Sequence, residues 1–390
     1  MVYEIREQPT TLGGAVFIPA NGLRLLDRLG VYETLREGGS ITSEMIFHST
    51  NGSELGRLDI ASNIKARTGY GHMRIKRTVL MDALLSAAHV RGIPIHFGKR
   101  LATITEDTGG ADATVTFSDG SSDTADLVLG CDGIHSAVRS LHVDPRVVPE
   151  YSGISSVASI IPMSTELAGL HMTFNPEGVI AVVPCTDSAE EKELFWFLSR
   201  EITPPDLEDT RDGWNEHGRK EVAAFKTTVL DILHDIGGSW GSFLRRIINS
   251  TETVNFYPIY RLPRGGIWHT RRCVLLGDAA HAMQPHAGQG VSMALEDVFL
   301  FSRLLKREST PLEECLCRFE QLRRPRVEDM ADRAANNGQR VRRKEPWQMT
   351  LMEWGIWAWL WASHWFKSVS WGVRDEDVVY DIEAVDLDEA

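Results

Sequence analysis

The stretch Arg272–Leu305, RCVLLGDAAHAMQPHAGQGVSMALEDVFLFSRLL, sets a carboxylate, a proline and three glycines between an apolar run and an amphipathic one. Val274, Leu275 and Leu276 read as a short buried strand, and Gly277-Asp278 ends it. Pro285, Gly288 and Gly290 punctuate the following turn. From Val291 the apolar residues recur at helical spacing (Ala294, Leu295, Val298, Phe299), with Glu296-Asp297 on the other side. A strand, a glycine-rich turn and a helix start leave backbone N–H groups unpaired, and glycine lets a ligand approach the main chain closely. Asp278 could accept hydrogen bonds from hydroxyls. The chemistry suggested is the holding of an electron-rich, hydroxyl-bearing molecule, and an ordinary strand-to-helix connection is the plain alternative.

A second stretch has the same build. Leu127-Val128-Leu129 runs into Gly130-Cys131-Asp132-Gly133-Ile134-His135-Ser136-Ala137-Val138-Arg139, where Asp132 can cap a helix start and Gly133 permits a tight bend. The two stretches resemble the DG and GD motifs, in the family's order, of the FAD-dependent aromatic monooxygenases, the group A flavoprotein hydroxylases typified by para-hydroxybenzoate and salicylate hydroxylases of fungal type. The resemblance implies that Asp278 holds the ribityl chain of FAD and that Pro285 lies by the isoalloxazine. It places the backbone of Gly288, Gln289, Gly290 and Val291 at the ring's pyrimidine edge. Asp132 falls on the residue supporting both FAD and NAD(P)H. In RIKRTVLMDALL, Arg77 falls on the cofactor-contacting arginine of an R-x-x-L segment, for which a surface arginine at a helix start is the plain alternative.

These residues need a frame of alternating strands and helices. Val2-Tyr3-Glu4 reads as a strand end carrying an acid, the position that hydrogen-bonds the adenosine ribose in Rossmann-type units. The G-x-G-x-x-G fingerprint that precedes this acid in the family does not occur in the chain. The expected fold is therefore α/β: a Rossmann-type FAD-binding domain truncated at its N-terminus, an inserted antiparallel-sheet substrate domain, and C-terminal helices. The expected division is 1–150 and 269–345 for the two parts of the FAD domain, 151–268 for the substrate domain, and 346–390 for a tryptophan-rich helix and tail. Within it, a helix is expected over Asn21–Leu35 and another over Arg77–Arg91. A hairpin turning at Asn51-Gly52 should join strands at 44–50 and 54–60. A long polar helix is expected over Leu312–Arg343, with Pro325 marking a kink or a new start.

Bulk properties narrow the function. The 390 residues are 43% hydrophobic and 24% charged, as in globular proteins with substantial cores. A net charge of −13 without a basic stripe argues against nucleic acid as a partner. Five scattered cysteines suggest neither a disulfide framework nor a zinc site, and no signal peptide is visible, so a cytoplasmic location is expected. Seven of the eleven tryptophans lie between Trp347 and Trp371. The apolar run 351–366 falls short of the ~20 residues that span a bilayer. Packing against the protein is the preferred reading, with peripheral membrane contact as the alternative.

Several side chains are weighed and set aside. His281 and His286 bracket the turn and could join Asp278 around a metal, but no third His or Cys has suitable spacing. His281 reads as structural. His286, Arg200, Tyr257 and Tyr260 could face a substrate, although a structural role is favoured for each, and no catalytic residue is assigned. Gly237–Gly241 fits G-x-S-x-G but follows a helical pattern instead of a strand, which excludes a nucleophile elbow. The resemblance implies an enzyme in which NADPH or NADH reduces FAD, and O₂ forms a flavin C4a-hydroperoxide that hydroxylates or epoxidises an aromatic or polyketide-type molecule, in secondary metabolism. Two alternatives stand beside it: a remnant that no longer binds FAD, and a flavin oxidase.

Overall fold

The computed structural model describes residues 1–10, 13–107, 112–162, 166–187, 191–204, 210–307, 309–365 and 374–388. Phe366 and Trp371 of the tryptophan-rich tail lie outside these residues.

Three layers of structure meet around the stretch Arg272–Leu305. The first is parallel: Val2–Tyr3 pairs with Ile95–His96, and Val128–Gly130 pairs with Cys273–Leu275. The second pairing lays the two glycine-Asp stretches side by side, in the register Val128↔Cys273 to Gly130↔Leu275. Arg139 reinforces it, because its Nη1 donates to the Ala279 carbonyl at 2.7 Å. Cys273, Val274 and Leu275 are wholly buried. They pack with Leu300, Phe301, Leu304, Leu316 and Phe319 from two helices, Gly290–Leu305 and Leu312–Gln339. Burying side chains of this size stabilises the fold by about 1.5–3 kcal/mol each.

The second layer is a seven-stranded sheet in the order Asn255–Arg261, Glu150–Pro162, Lys192–Glu201, Gly178–Asp187, Leu170–Asn175, Glu44–His48, Glu54–Asp59. All its pairings are antiparallel except that of Leu170–Asn175 with Glu44–His48. The hairpin 44–59 thus joins strands far along the chain. Helices Thr210–Ile232 and Gly238–Ser250 pack on one face through Phe225, Val229, Leu244 and Ile248. Helix Pro346–Trp365 packs elsewhere through Met349, Ile356 and Leu360 against Phe47, Ile154 and Phe174. Strand Gly178–Asp187 is buried along its apolar run from Val179 to Val183, so its sequence shows no polar alternation. Two smaller antiparallel sheets flank these, one of Ala15–Ile18, Met73–Lys76 and Ser40–Ile41 and one of Leu101–Glu106, Ala113–Phe117 and Ser122–Ala125.

Some expected elements differ. The expected helix Asn21–Leu35 is two helices, Ala20–Arg28 and Tyr32–Gly38, because Gly30 takes φ +78° and turns the chain between them. Pro325 neither stops nor restarts the long helix, which runs from Leu312 to Gln339. Gly237 is the N-cap of helix Gly238–Ser250, so the G-x-S-x-G string lies at a helix start and not at a strand end. Among the described residues no helix is long and apolar enough to cross a membrane. The Pro346–Trp365 helix does pack, as preferred, but its other side leaves Trp347, Leu351, Trp354, Trp357 and Trp361 exposed at helical spacing.

Candidate functional site

Strand Cys273–Leu275 ends in a sharp bend at Gly277, where φ is +58° and ψ −138°. A Cβ there would come within 3.0 Å of Ala294, so the bend fits only glycine. Asp278 then opens a single helical turn, Asp278–His281. Pro285–Ala287 forms a second turn, and Gly288 (φ +64°) leads into helix Gly290–Leu305.

Beneath this turn lies a buried network of charges. Asp297 Oδ2 accepts from the Gly277 amide at 2.8 Å and from His281 Nε2 at 2.6 Å, while Oδ1 accepts from Arg323 Nε at 2.8 Å. Glu296 takes Arg323 Nη1 (2.9 Å), both Nε and Nη2 of Arg326 (2.8 Å each) and Asn21 Nδ2 (2.8 Å). The same Asn21 nitrogen reaches Gln289 Oε1 at 3.0 Å, in the middle of the glycine turn. Burial alone would raise the Asp297 pKa, but His281 and Arg323 outweigh it and hold the carboxyl down to about 2. His281 is thereby structural, as expected. The network clamps the turn's backbone from below and leaves its upper side free.

That upper side faces a cavity of about 2280 Å³, well above the roughly 300–1,000 Å³ of an ordinary small-molecule site. It has room for more than one ligand. Of the sequence-predicted residues, Arg77, Asp278, Pro285, Gly288, Gly290 and Val291 all line it. Asp278 is exposed to this cavity; desolvation raises its pKa, and His281 and Arg77 pull the other way. Glu4 and Asp132 do not line it, although Cys131 and Gly133 do. Glu4 Oε1 accepts from the Arg6 amide at 2.9 Å. Asp132 Oδ2 caps its helical turn by accepting from the amides of Ala137 (2.6 Å) and Val138 (3.0 Å), and Oδ1 accepts from Ser136. This is the capping that its position before the turn suggested.

Whether these residues suit FAD can be tested on the turn itself. A Cβ on Gly290 would meet nothing within 4 Å, so the backbone there stands open to the cavity. His286 Nε2, on the cavity wall, and Gln289 Nε2 are buried with no hydrogen-bond partner among the described residues. A carboxylate suited to hydroxyls, an arginine, an open glycine backbone and orphaned polar atoms together fit a large cofactor with a flat ring and a polyol chain. Burial also lowers the His286 pKa to about 4, keeping the imidazole neutral at physiological pH.

The remaining candidates separate. Tyr257 lines the cavity, its hydroxyl donating to the Gly13 carbonyl at 2.7 Å. Arg200 is paired with Glu221 at 2.7 Å, and Tyr260 stacks edge-on with Tyr151; neither lines the cavity. Glu106, His142 and Cys273 bring ligand atoms within 4.8 Å of one another, a grouping not foreseen from the sequence. Glu106 already accepts from His142 and Thr270 there.

The FAD binding domain family model matches residues 1–229 and 266–334. The chain belongs to that family. Its homologues are FAD-dependent aromatic hydroxylases. It is 27% identical over 343 residues to the 3-amino-4-hydroxybenzoate 2-monooxygenase PtnB3 of Streptomyces platensis, spanning 86% of this chain and 81% of that one. It is 28% identical over 355 residues to salicylate hydroxylase of Pseudomonas putida, spanning 81% and 74%. The crystal structure of Klebsiella pneumoniae HpxO complexed with FAD and uric acid superposes with a TM-score of 0.74 at 21% identity, over 91% of this chain and 85% of that chain, and so shares its fold.

Sequence reading missed Asn21, Phe17 and Arg74, and it gave Arg323 and Arg326 no role. The two arginines stand at i and i+3 on one helix, a spacing that puts both on one face. Asn21 carried no local signal, since its partners lie more than 260 positions away.

Proposed function

We propose that this protein is an FAD-dependent, NAD(P)H-consuming monooxygenase that hydroxylates or epoxidises a small aromatic molecule, in secondary metabolism. The observation that carries the reading is one cavity with two characters. At one end stand the glycine turn and Asp278; from there the wall continues through Phe17, Phe195, Phe197 and Tyr257. Asp278 and Arg77, with the backbone at Gly288–Val291, would hold the cofactor, and Pro285 would lie against its ring. FAD supplies the redox chemistry, accepting electrons from NADH or NADPH and activating O₂. The chain's own residues position and shield. The charge network fixes the turn, the aromatic wall excludes water and stacks a substrate ring, and neutral His286 is available to hold or pass a proton at its free Nε2.

The test uses the purified chain loaded with FAD. Oxidation of NADPH or NADH should accelerate on adding aromatic acids and phenols, with a product heavier by one oxygen atom derived from O₂. Substrate-stimulated peroxide with no oxygenated product would identify an oxidase instead, and a chain that takes up no flavin would end the enzymatic reading.

A further inference from the structure

Away from the cavity the fold gathers a second set of reactive side chains. A carboxylate oxygen of Glu106, a ring nitrogen of His142 and the thiol sulfur of Cys273 lie within 4.8 Å of one another. Among the described residues no other three His, Cys, Asp or Glu side chains form such a group. None of the three lines the large cavity. Cys273 is the first residue of the strand that ends before Gly277, so the group sits at the opposite end of that strand from the glycine turn. The sequence gave no metal-ligand spacing here, because Glu106 and His142 alone are 36 positions apart.

Each member comes from a different element. Glu106 ends strand Leu101–Glu106, His142 belongs to a wide π-type turn over Arg139–Val143, and Cys273 opens strand Cys273–Leu275. Ile104, Val143 and Cys273 share one apolar core, which fixes the three backbones relative to one another. Thr270 orients two of the side chains: its hydroxyl donates to Glu106 Oε1 and accepts from the Cys273 amide at 3.2 Å. His142 Nε2 already meets Glu106 Oε1 at 2.9 Å. Arg271 stands on the solvent side, its Nε 4.0 Å from Glu106. Cys273 is buried, but Glu106 and His142 keep partial exposure, so a small ion has a way in.

One sulfur, one imidazole nitrogen and one carboxylate oxygen are the donors that a borderline-soft divalent ion selects, whereas Ca²⁺ and Mg²⁺ take oxygen ligands. Zinc binds these donors at about 2.0–2.3 Å in a tetrahedron, which sets them roughly 3.3–3.6 Å apart, so side-chain movements of about 1 Å would close the group around an ion. Charge also balances. A thiolate and a carboxylate together cancel the two positive charges of the ion, which keeps the cost of holding it in a half-buried place small. On binding, the Cys273 S–H proton passes to solvent as the metal–sulfur bond forms.

We propose that Glu106, His142 and Cys273 form a zinc-binding site, with water in the fourth position, that pins the start of strand Cys273–Leu275 to strand Leu101–Glu106 and to the turn Arg139–Val143. Arg139 of that same turn holds the Ala279 carbonyl at 2.7 Å. The ion would thus fasten the frame behind the glycine turn without touching the cavity. The site stands independently of the flavin chemistry.

The experiment titrates the purified, chelator-treated 390-residue chain with zinc by calorimetry and with cobalt(II) by absorbance. Zinc should bind at one equivalent with micromolar or tighter affinity, and the heat should vary with the ionisation heat of the buffer because a proton is released. Cobalt should show a thiolate charge-transfer band and the visible bands of a four-coordinate ion. His142→Ala and Cys273→Ser should each weaken zinc binding at least tenfold, and Cys273→Ser should also abolish the charge-transfer band. Should the buried Cys273→Ser variant not fold, His142→Ala and the cobalt spectrum carry the test, since His142 lies toward the surface. Affinity for FAD should be the same with and without zinc. A chain that binds no zinc at one equivalent holds only a hydrogen-bonded Glu–His pair, and the proposal falls. Binding undiminished in either variant, cobalt bound without the thiolate band, or zinc that displaces FAD overturns it equally.

Discussion

Gly288 and Gly290 stand two residues apart in the same turn, yet a methyl group should do opposite things at the two positions. Gly288 has φ +64°, and its Cβ would lie 2.9 Å from Phe17 Cδ1. Placing a side chain in the left-handed region costs about 1–2 kcal/mol. With the contact added, Gly288→Ala should destabilise the chain by roughly 2–3 kcal/mol, within the usual range for overpacking. Gly290 has neither problem: its φ is not positive, and its Cβ would meet nothing within 4 Å. Since it opens helix Gly290–Leu305, alanine there should leave stability unchanged or raise it by up to about 1 kcal/mol. The methyl would instead project where a flavin ring approaches the backbone, and FAD affinity should fall at least tenfold, about 1.4 kcal/mol. Urea denaturation gives the first quantity, and quenching of flavin fluorescence gives the second. The reasoning is refuted if Gly290→Ala binds FAD as the parent chain does, or if Gly288→Ala matches the parent in stability.

The charge network gives a second expectation. Arg323→Met strips one partner from each of two buried carboxylates while leaving Glu296 its bonds to Arg326 and Asn21, and Asp297 its bonds to His281 and Gly277. A loss of about 3 kcal/mol is expected, at the lower end for a broken buried pair, and denaturant midpoints will show it. Asp278→Asn should separate function from stability. The folded-state pKa of Asp278 is raised, so its stabilising contribution is present at low pH and lost as pH rises through that pKa. The variant should be at least as stable as the parent at pH 7 without flavin, the difference should vanish below about pH 4, and FAD affinity should drop at least tenfold. For His286 the pKa falls from 6.5 to about 4, so the unfolded chain binds the extra proton across that window and stability drops as pH is lowered through it. His286→Gln should flatten that part of a plot of melting temperature against pH, and an unaltered slope would count against it.

The glycine turn was legible in the sequence because its requirements are local. Gly277 and Gly288 must take positive φ, the apolar run before them must be buried, and each property is written in a few adjacent residues. Its partners were not, since Asn21 and Arg323 reach the turn across the fold. Arg74 was hidden for another reason. Strand Met73–Lys76 alternates buried Met73 and Ile75 with charged Arg74 and Lys76, a pattern that ordinarily means a solvated face. Here that face looks into a cavity, and only the tertiary structure distinguishes cavity from solvent. The break at Gly30 was also open to misreading, because the leucines at 23, 26, 29 and 35 keep one helical period across it. Periodicity records which face is buried and passes over a turn that preserves the face.

The most direct measurement is a titration of the purified 390-residue chain with FAD beside its Asp278→Ala variant, followed by flavin fluorescence and visible absorbance. The expected result is saturable one-to-one binding by the parent and at least tenfold weaker binding by the variant, with both chains equally folded by circular dichroism. A parent chain that leaves FAD free in solution, or a variant that binds it as tightly, would contradict the assignment of this cavity to the cofactor.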